Sequence, residues 1–156
     1  MVPIQHMHPM IVHFPIVLVF LVAGFEIIAT AMGRNVTGRT ASGNFSVGLL
    51  LIAAAASIAA FYFGDVALSY AEAGGFESDV AEVHESLGRI VAIAVPTWAL
   101  IRAVLWWRDM RISAPLAYVV PVISLIGAGL ITWTAYYGGQ LVFDLGVNVA
   151  KVSGAS

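Results

Sequence analysis

Residues 45–70 read FSVGLLLIAAAASIAAFYFGDVALSY and contain one charged side chain, Asp65. A helix crosses the roughly 30 Å hydrocarbon layer of a membrane with about 20 apolar residues. The stretch is therefore long enough to span a bilayer as a single helix. Three further apolar runs occupy residues 11–32, 87–107 and 115–143. The sequence predicts an all-α, integral membrane fold with four spanning helices.

Composition points to the same class of protein. The 156 residues are 60% hydrophobic and only 10% charged, whereas soluble domains carry about 25% charged residues. Cysteine is absent, which excludes thiolate metal sites, covalent c-type haem and disulfides for this chain. The formal net charge of −2 and the lack of a basic groove or a phosphate-binding glycine loop argue against a nucleic-acid partner.

The connections between the apolar runs are short, at residues 33–44, 71–86 and 108–114. Helices joined by short loops pack as antiparallel neighbours. We therefore expect residues 1–156 to form one domain, folded as an up-down four-helix bundle. No internal repeat is evident in the amino-acid sequence.

Charged residues divide unequally among the connections. The second connection holds acidic side chains and no Lys or Arg, whereas five of the seven basic residues lie in or beside the first and third: Arg34, Arg39, Arg102, Arg108 and Arg111. Loops rich in Lys and Arg face the cytoplasm. The sequence therefore predicts that both termini lie on the external side of the membrane, together with all four histidines.

Four ionisable residues fall inside the apolar runs and need partners, because an isolated charge in a bilayer is costly. Asp65 and Arg89 lie equally far from the tip of the second connection, so they are expected to pair near the external face. Glu26 and Arg102 lie about six residues from the cytoplasmic ends of the first and third helices. They are expected to form a second inter-helix ion pair, which either fixes helix register or, for Glu26, relays protons.

The histidines near the start of the chain are the clearest candidates for a binding site. His8 precedes Pro9 and fits a helix-entry position. His13 lies five residues later, about 140° around a helix, so the two do not share one face. A second ligand must come from another helix, and His84 is available at the start of the third. We expect His13 and His84 to be axial ligands of b-type haem, or else to form hydrogen bonds between helices.

Other residues at the external face would complete such a pocket. Gly138 and Gly139 permit close approach of a flat ring or of a neighbouring helix. Tyr136 offers an aromatic wall, although tyrosine is also common at membrane interfaces. Arg89 is placed to meet a haem propionate. A copper or zinc site built on His13, His84 and His8 is the alternative that uses the histidines without haem.

Several segments resemble a bacterial family of four-helix inner-membrane proteins known as domain of unknown function 2231. They are HPMIVHFPI at 8–16, FGD at 63–65, His84 at the start of the third helix, and GGQLVFDLGVNV at 138–149. The family's motif positions match His8, Pro9, His13, Pro15, His84, Gly138, Gly139 and Gly146. The resemblance implies a bacterial inner-membrane location. Family members fused to Rieske-type or c-type cytochrome domains imply service near a redox chain.

Together these features predict an electron-transfer subunit that holds one haem b near the external face. It would act within a larger redox complex, exchanging electrons with a quinol, a Rieske protein or a c-type cytochrome. A cofactor-free structural or assembly subunit and a copper- or zinc-binding membrane protein are the alternatives. No nucleophile with a nearby base is evident, so the sequence does not indicate catalysis.

Overall fold

The computed structural model of the protein describes residues 4–147 and 149, and this part of the chain is entirely helical apart from its loops. Short 3-10 turns at Ile4–His6 and Leu116–Tyr118 precede the first and last spans. The α-helices are α1 (Met7–Ile11), α2 (His13–Ala31), α3 (Ala41–Ala73), α4 (Asp79–Trp107) and α5 (Val119–Phe143).

The predicted membrane fold is confirmed. In the described part of the chain, four helical segments are long and apolar enough to cross a membrane: Met7–Ala31, Ala41–Ala73, Asp79–Trp107 and Leu116–Phe143. The first combines α1 and α2, which are separated at Val12. Pro15 has no N–H to donate to Ile11, and the next bond, from Ile16 N to the Val12 carbonyl, is long at 3.4 Å. The helix is therefore loosened around Val12.

Two of the helices begin well before the apolar runs that revealed them. α3 begins at Ala41, where the Thr40 hydroxyl accepts a 2.9 Å hydrogen bond from Gly43 N. α4 begins at Asp79, with Asp79 and Glu82 in its first turn, where carboxylates are favoured by the helix dipole. Because polar turns continue these helices beyond the hydrocarbon layer, an apolar run marks membrane depth rather than the helix end.

The four spans form a closed ring. α2 packs against α3 and α5, and α4 packs against the same two helices. Within the described residues, no Cα atom of α2 lies within 8 Å of one in α4, nor one of α3 within 8 Å of α5. These pairs therefore face each other diagonally across the bundle axis, and Arg102 of α4 reaches Glu26 of α2 through its long side chain. The core between them consists mainly of valine and alanine, including Val22, Ala53 and Ala99. Large side chains such as Ile93 and Ile126 are more than half exposed on the outer surface, as a lipid-facing surface requires.

One of the two predicted ion pairs is present. Glu26 and Arg102 are both fully buried, and Arg102 Nη1 donates to the Glu26 carboxylate. The other prediction was wrong, because Arg89 Nη2 contacts Glu85 at 2.5 Å within α4 rather than Asp65 on α3. Glu85 lies one turn from Arg89 on the same helix, where i,i+4 pairs form readily.

The antiparallel topology gives the bundle two distinct ends. The arginine end carries the loops at 32–40 and 108–118. The histidine end carries the start of the first span, the α3–α4 loop at 74–78 and the end of α5. Which end faces the cytoplasm stays a prediction from charge.

Candidate functional site

A cavity of about 490 Å³ opens into the bundle at the histidine end. Its walls come from all four spans and are mainly apolar, with Val12, Phe61, Val91 and Ile131 among them. Binding sites for small molecules and cofactors have volumes of roughly 300–1,000 Å³ and similar walls with a few polar groups. The cavity therefore has the size and character of a ligand site.

His8 enters this cavity from α1 and is fixed by α3. Its Nδ1 lies 2.9 Å from the carbonyl oxygen of Ala60. The imidazole also lies directly over Gly64, since a Cβ atom added to that glycine would be only 2.9 Å from His8 Cε1. The ring thus occupies space that only a glycine on α3 leaves free.

His84 enters from α4 and is fixed by α5 in the same way. Its Nδ1 lies 3.0 Å from the carbonyl oxygen of Thr134. A Cβ atom added to Gly138 would be 2.9 Å from His84 Cε1. Gly138 was predicted to admit a flat ring, and in the structure the ring it admits is this imidazole.

These contacts set the chemistry of both imidazoles. A carbonyl oxygen only accepts hydrogen bonds, so a neutral ring in this position carries its proton on Nδ1 and a lone pair on Nε2. Among the described residues, neither Nε2 has a hydrogen-bond partner. A backbone carbonyl on one ring nitrogen is also the usual way in which metal-binding histidines are oriented. Each histidine is therefore prepared to donate an electron pair from Nε2.

The two imidazoles are close to one another although they come from separate parts of the chain. Their ring centroids are 6.0 Å apart and their planes differ by 76°. His8 belongs to the first span and His84 to α4, which lie diagonally across the bundle. A ligand that met both rings would therefore occupy the bundle axis, with α3 and α5 as its side walls.

His13 occupies a different position from the one expected. It is among the residues that line the cavity, but it is exposed. The structure thus places His8, rather than His13, opposite His84. The 140° divergence between His8 and His13 explains this, because turning His8 inward turns His13 outward.

The three-histidine arrangement of the copper or zinc alternative does not form. Within the part of the chain that the structure describes, no three His, Cys, Asp or Glu side chains come together as a metal-binding group. His8 and His84 meet, but His13 does not join them.

Two other predicted site residues, Arg89 and Tyr136, do not line the cavity. The Arg89 side chain is 61% exposed and pairs with Glu85. Tyr136 is 63% exposed and packs edge-to-face against Tyr137 on the outer surface. Gly139 lines the cavity, yet the nearest side-chain atom to its added Cβ, from Phe143, is 4.0 Å away. Tyr136 and Arg89 therefore do not form the predicted wall and cation of the pocket.

Sequence reasoning missed the residues that hold the histidines. Gly64, Ala60 and Thr134 provide the close approach and the two acceptors. A signal for them was available, because an aromatic residue followed by glycine occurs near the external end of the second run, Phe63–Gly64, and of the fourth, Tyr137–Gly138. The carboxylates of Asp65 and Glu85 line the cavity as well, and no Lys or Arg is among its described lining residues.

Comparison with known proteins gives one match. A family model described as "Predicted membrane protein (DUF2231)" matches residues 5–151, nearly the whole chain. No curated protein and no solved structure matches the chain.

Proposed function

The chain belongs to the DUF2231 family of predicted membrane proteins, and from its bundle we propose that it is an electron-transfer subunit that binds one haem b between His8 and His84. The observation that supports the proposal is the pair of imidazoles whose Nδ1 atoms are held by backbone carbonyls, leaving two Nε2 donors in one apolar cavity.

The number of donors favours haem over a simple metal ion. Haem iron takes four ligands from its porphyrin and needs only two from the protein. Structural zinc uses four protein ligands and catalytic zinc three, and the described residues offer no such group. The absence of cysteine excludes covalent c-type attachment, and haem b is held without a covalent link.

The dimensions of the site agree with this choice. The two ring centroids are 6.0 Å apart, which is short enough for one metal centre to bind both imidazoles. A cavity of about 490 Å³ with apolar walls suits the apolar plane of a porphyrin, whereas a bare ion has no need of it.

The role follows from the ligands. Haem bound by two histidines supplies one-electron exchange and has no open position for substrate. His8 and His84 would hold it on the bundle axis, and the four spans around them would keep it within the bilayer. Its place at the histidine end favours a partner on that side of the membrane, such as a c-type cytochrome, a Rieske protein or another subunit of a redox complex.

A reduced-minus-oxidised absorption spectrum of protein purified from cells supplied with haem tests the proposal. We expect the α-band and Soret band of a low-spin b-type haem, at about one haem per chain. Elemental analysis on the same sample is the control for copper and zinc. Bands that are absent despite full haem supply would contradict the proposal, and would leave the cofactor-free structural subunit if copper and zinc are absent too.

A further inference from the structure

The two histidine sites are built alike. In the first, His8 contacts the carbonyl of Ala60 and lies over Gly64, four residues further along α3. In the second, His84 contacts the carbonyl of Thr134 and lies over a glycine four residues further along α5. Each site belongs to one helical hairpin, formed by the first span with α3 or by α4 with α5.

The likeness extends along the first helix of each hairpin at a constant offset of 76 residues. His84 corresponds to His8, and the buried Arg102 corresponds to the buried Glu26. Three more pairs of buried residues match at the same offset: Pro15 with Val91, Val19 with Val95, and Ala23 with Ala99.

The second helix of each hairpin matches at a constant offset of 74 residues. Every buried residue assigned to α5 coincides with a buried residue of α3; the pairs are Ser46 with Val120, Val47 with Pro121, Leu50 with Ser124, Ala54 with Ala128, and Ser57 with Ile131. The difference of two residues between the offsets falls between the helices of each hairpin, where loop lengths vary freely.

An aromatic pair next to each glycine repeats as well. The Tyr62 and Phe63 rings are 5.3 Å apart at 76°. The Tyr136 and Tyr137 rings, which occupy the corresponding positions, are 5.5 Å apart at 80°. Donor, acceptor, glycine and aromatic pair are therefore all present twice in the same relative places.

We infer that the two hairpins are copies of one unit, related by a pseudo-twofold axis that runs along the bundle and through the cavity, and that the ligand is held by two equivalent half-sites. Two equivalent electron-pair donors suit a ligand that accepts at two opposite positions, as a metal centre with two axial sites does. A ligand with a single polar headgroup would engage one half-site only. The assignment of that ligand as haem rests on the proposed function, but the equivalence of the half-sites does not.

The inference also makes Gly64 and Gly138 equivalent positioning residues. Each glycine leaves space for one imidazole to reach its backbone carbonyl acceptor. The resulting hydrogen bond favours the tautomer with the proton on Nδ1. An alanine at either position places a Cβ 2.9 Å from the nearer histidine. Each substitution should therefore disturb the histidine of its own half-site and leave the other unchanged.

Nuclear magnetic resonance of cofactor-free protein with ¹⁵N-labelled histidine, in detergent, measures the tautomers directly. In the unmodified chain we expect His8 and His84 both to be Nδ1–H. Gly64→Ala should lose this signature at His8 alone, and Gly138→Ala at His84 alone. The matched control is Gly139→Ala, which meets no atom closer than 4.0 Å and should change neither.

The equivalence is overturned if the unmodified protein holds one of the two histidines as Nε2–H, a result that needs no variant to fold. It is also overturned if both glycine variants disturb the same ring. Addition of haemin then separates the two claims, since one equivalent should shift the Nε2 resonances of His8 and His84 together. Resonances that do not respond to haemin, with the tautomers as expected, would overturn the haem assignment and leave the duplication supported.

Discussion

At the scale of single residues, the most demanding feature is the buried pair of Glu26 and Arg102. The carboxylate accepts hydrogen bonds of 2.5 Å from both Ser46 Oγ and Ser124 Oγ, in addition to its contact with Arg102. The guanidinium also donates to the carbonyl of Val36 in the α2–α3 loop, at 2.5 Å. Because desolvated charges are stable only when paired and hydrogen-bonded, these three residues support Arg102 and Glu26 as one unit.

Removing one member of this unit should therefore be costly. We expect Glu26→Ala to lower the free energy of unfolding by about 3–5 kcal/mol, because it leaves the Arg102 charge buried without a partner. Thermal unfolding in detergent measures the effect. The control is Glu85→Ala, which breaks the half-exposed pair with Arg89 and should cost no more than about 0.5 kcal/mol. Equal losses from the two variants would show that the buried pair has no special role.

The two ion pairs show which residue contacts can be predicted from sequence. Glu26 and Arg102 lie deep in their helices, where each has few partners to choose from, and counting residues from the helix ends was sufficient. Arg89 lies near the histidine end and is 61% exposed. Glu85, one turn away on the same helix, pairs with it there, so equal depth with Asp65 did not decide its partner.

At the scale of elements, the two loops of the arginine end are joined to one another. Thr37 Oγ1 donates to the carbonyl of Met110 at 2.8 Å, and Asn35 Nδ2 donates to that of Ile112 at 2.9 Å. Asp109 accepts a 2.7 Å hydrogen bond from Arg39 N. Asp109 has a φ of 49°, the left-handed geometry that ends many helices and that Asp tolerates better than most residues. These contacts tie one hairpin to the other.

The Asp109 contact should depend on pH. A hydrogen bond from the backbone N–H of Arg39 is the main reason why the pKa of Asp109 lies below its ordinary value. Hydrogen bonds from the Arg111 side chain lower this pKa further. A carboxyl whose pKa falls on folding stabilises the fold above its unfolded pKa, and this contribution is lost as the pH falls through the folded value. We expect the Arg39 amide resonance to titrate with a midpoint below that of aspartate in the unfolded chain, and Asp109→Asn to abolish the titration. A midpoint at the ordinary value would contradict the assignment.

Helices were easier to predict than the direction of their side chains. The four apolar runs in the sequence predicted all four spans. A helix that crosses a bilayer must be long and hydrophobic, and both properties can be read directly from an amino-acid sequence. The choice between His8 and His13 depended on rotation about a helix that is interrupted at Val12. Because the two positions diverge by about 140° around a helix, only one of them faces the bundle axis, and no pattern in the sequence shows which.

At the scale of the whole molecule, the bundle separates its charges. Arg34, Arg39, Arg108 and Arg111 lie at or near the loops of the arginine end, whereas the α3–α4 connection carries only carboxylates among its charged groups. This asymmetry predicts a cytoplasmic arginine end and an external histidine end. The cavity would then open toward the external side of the membrane, where the proposed redox partner would approach it.

Single cysteines test this orientation, since the chain has none of its own. Glu77→Cys lies in the exposed α3–α4 loop and Ser113→Cys in an exposed position of the opposite loop. In intact spheroplasts, we expect a membrane-impermeant maleimide to label position 77, and to label position 113 only after permeabilisation. The reverse pattern would place the histidine site on the cytoplasmic side.

The duplication of the two hairpins is a property of the whole fold that is not evident in the amino-acid sequence. Most corresponding positions carry different residues, and Glu26 with Arg102 even carry opposite charges. What is shared is the burial of each position and its place along the helix. Such a repeat becomes visible only when the packing is known, whereas the number of spans was visible from the start.

The central claim is that His8 and His84, rather than His13, hold the cofactor. Reduced-minus-oxidised spectra of haem-supplied His8→Ala, His84→Ala and His13→Ala, each checked for helical content, test it most directly. We predict that the low-spin bands persist in His13→Ala and are lost, or become those of a haem with one histidine ligand, in the other two. Bands that survive in His8→Ala and vanish in His13→Ala would contradict the claim.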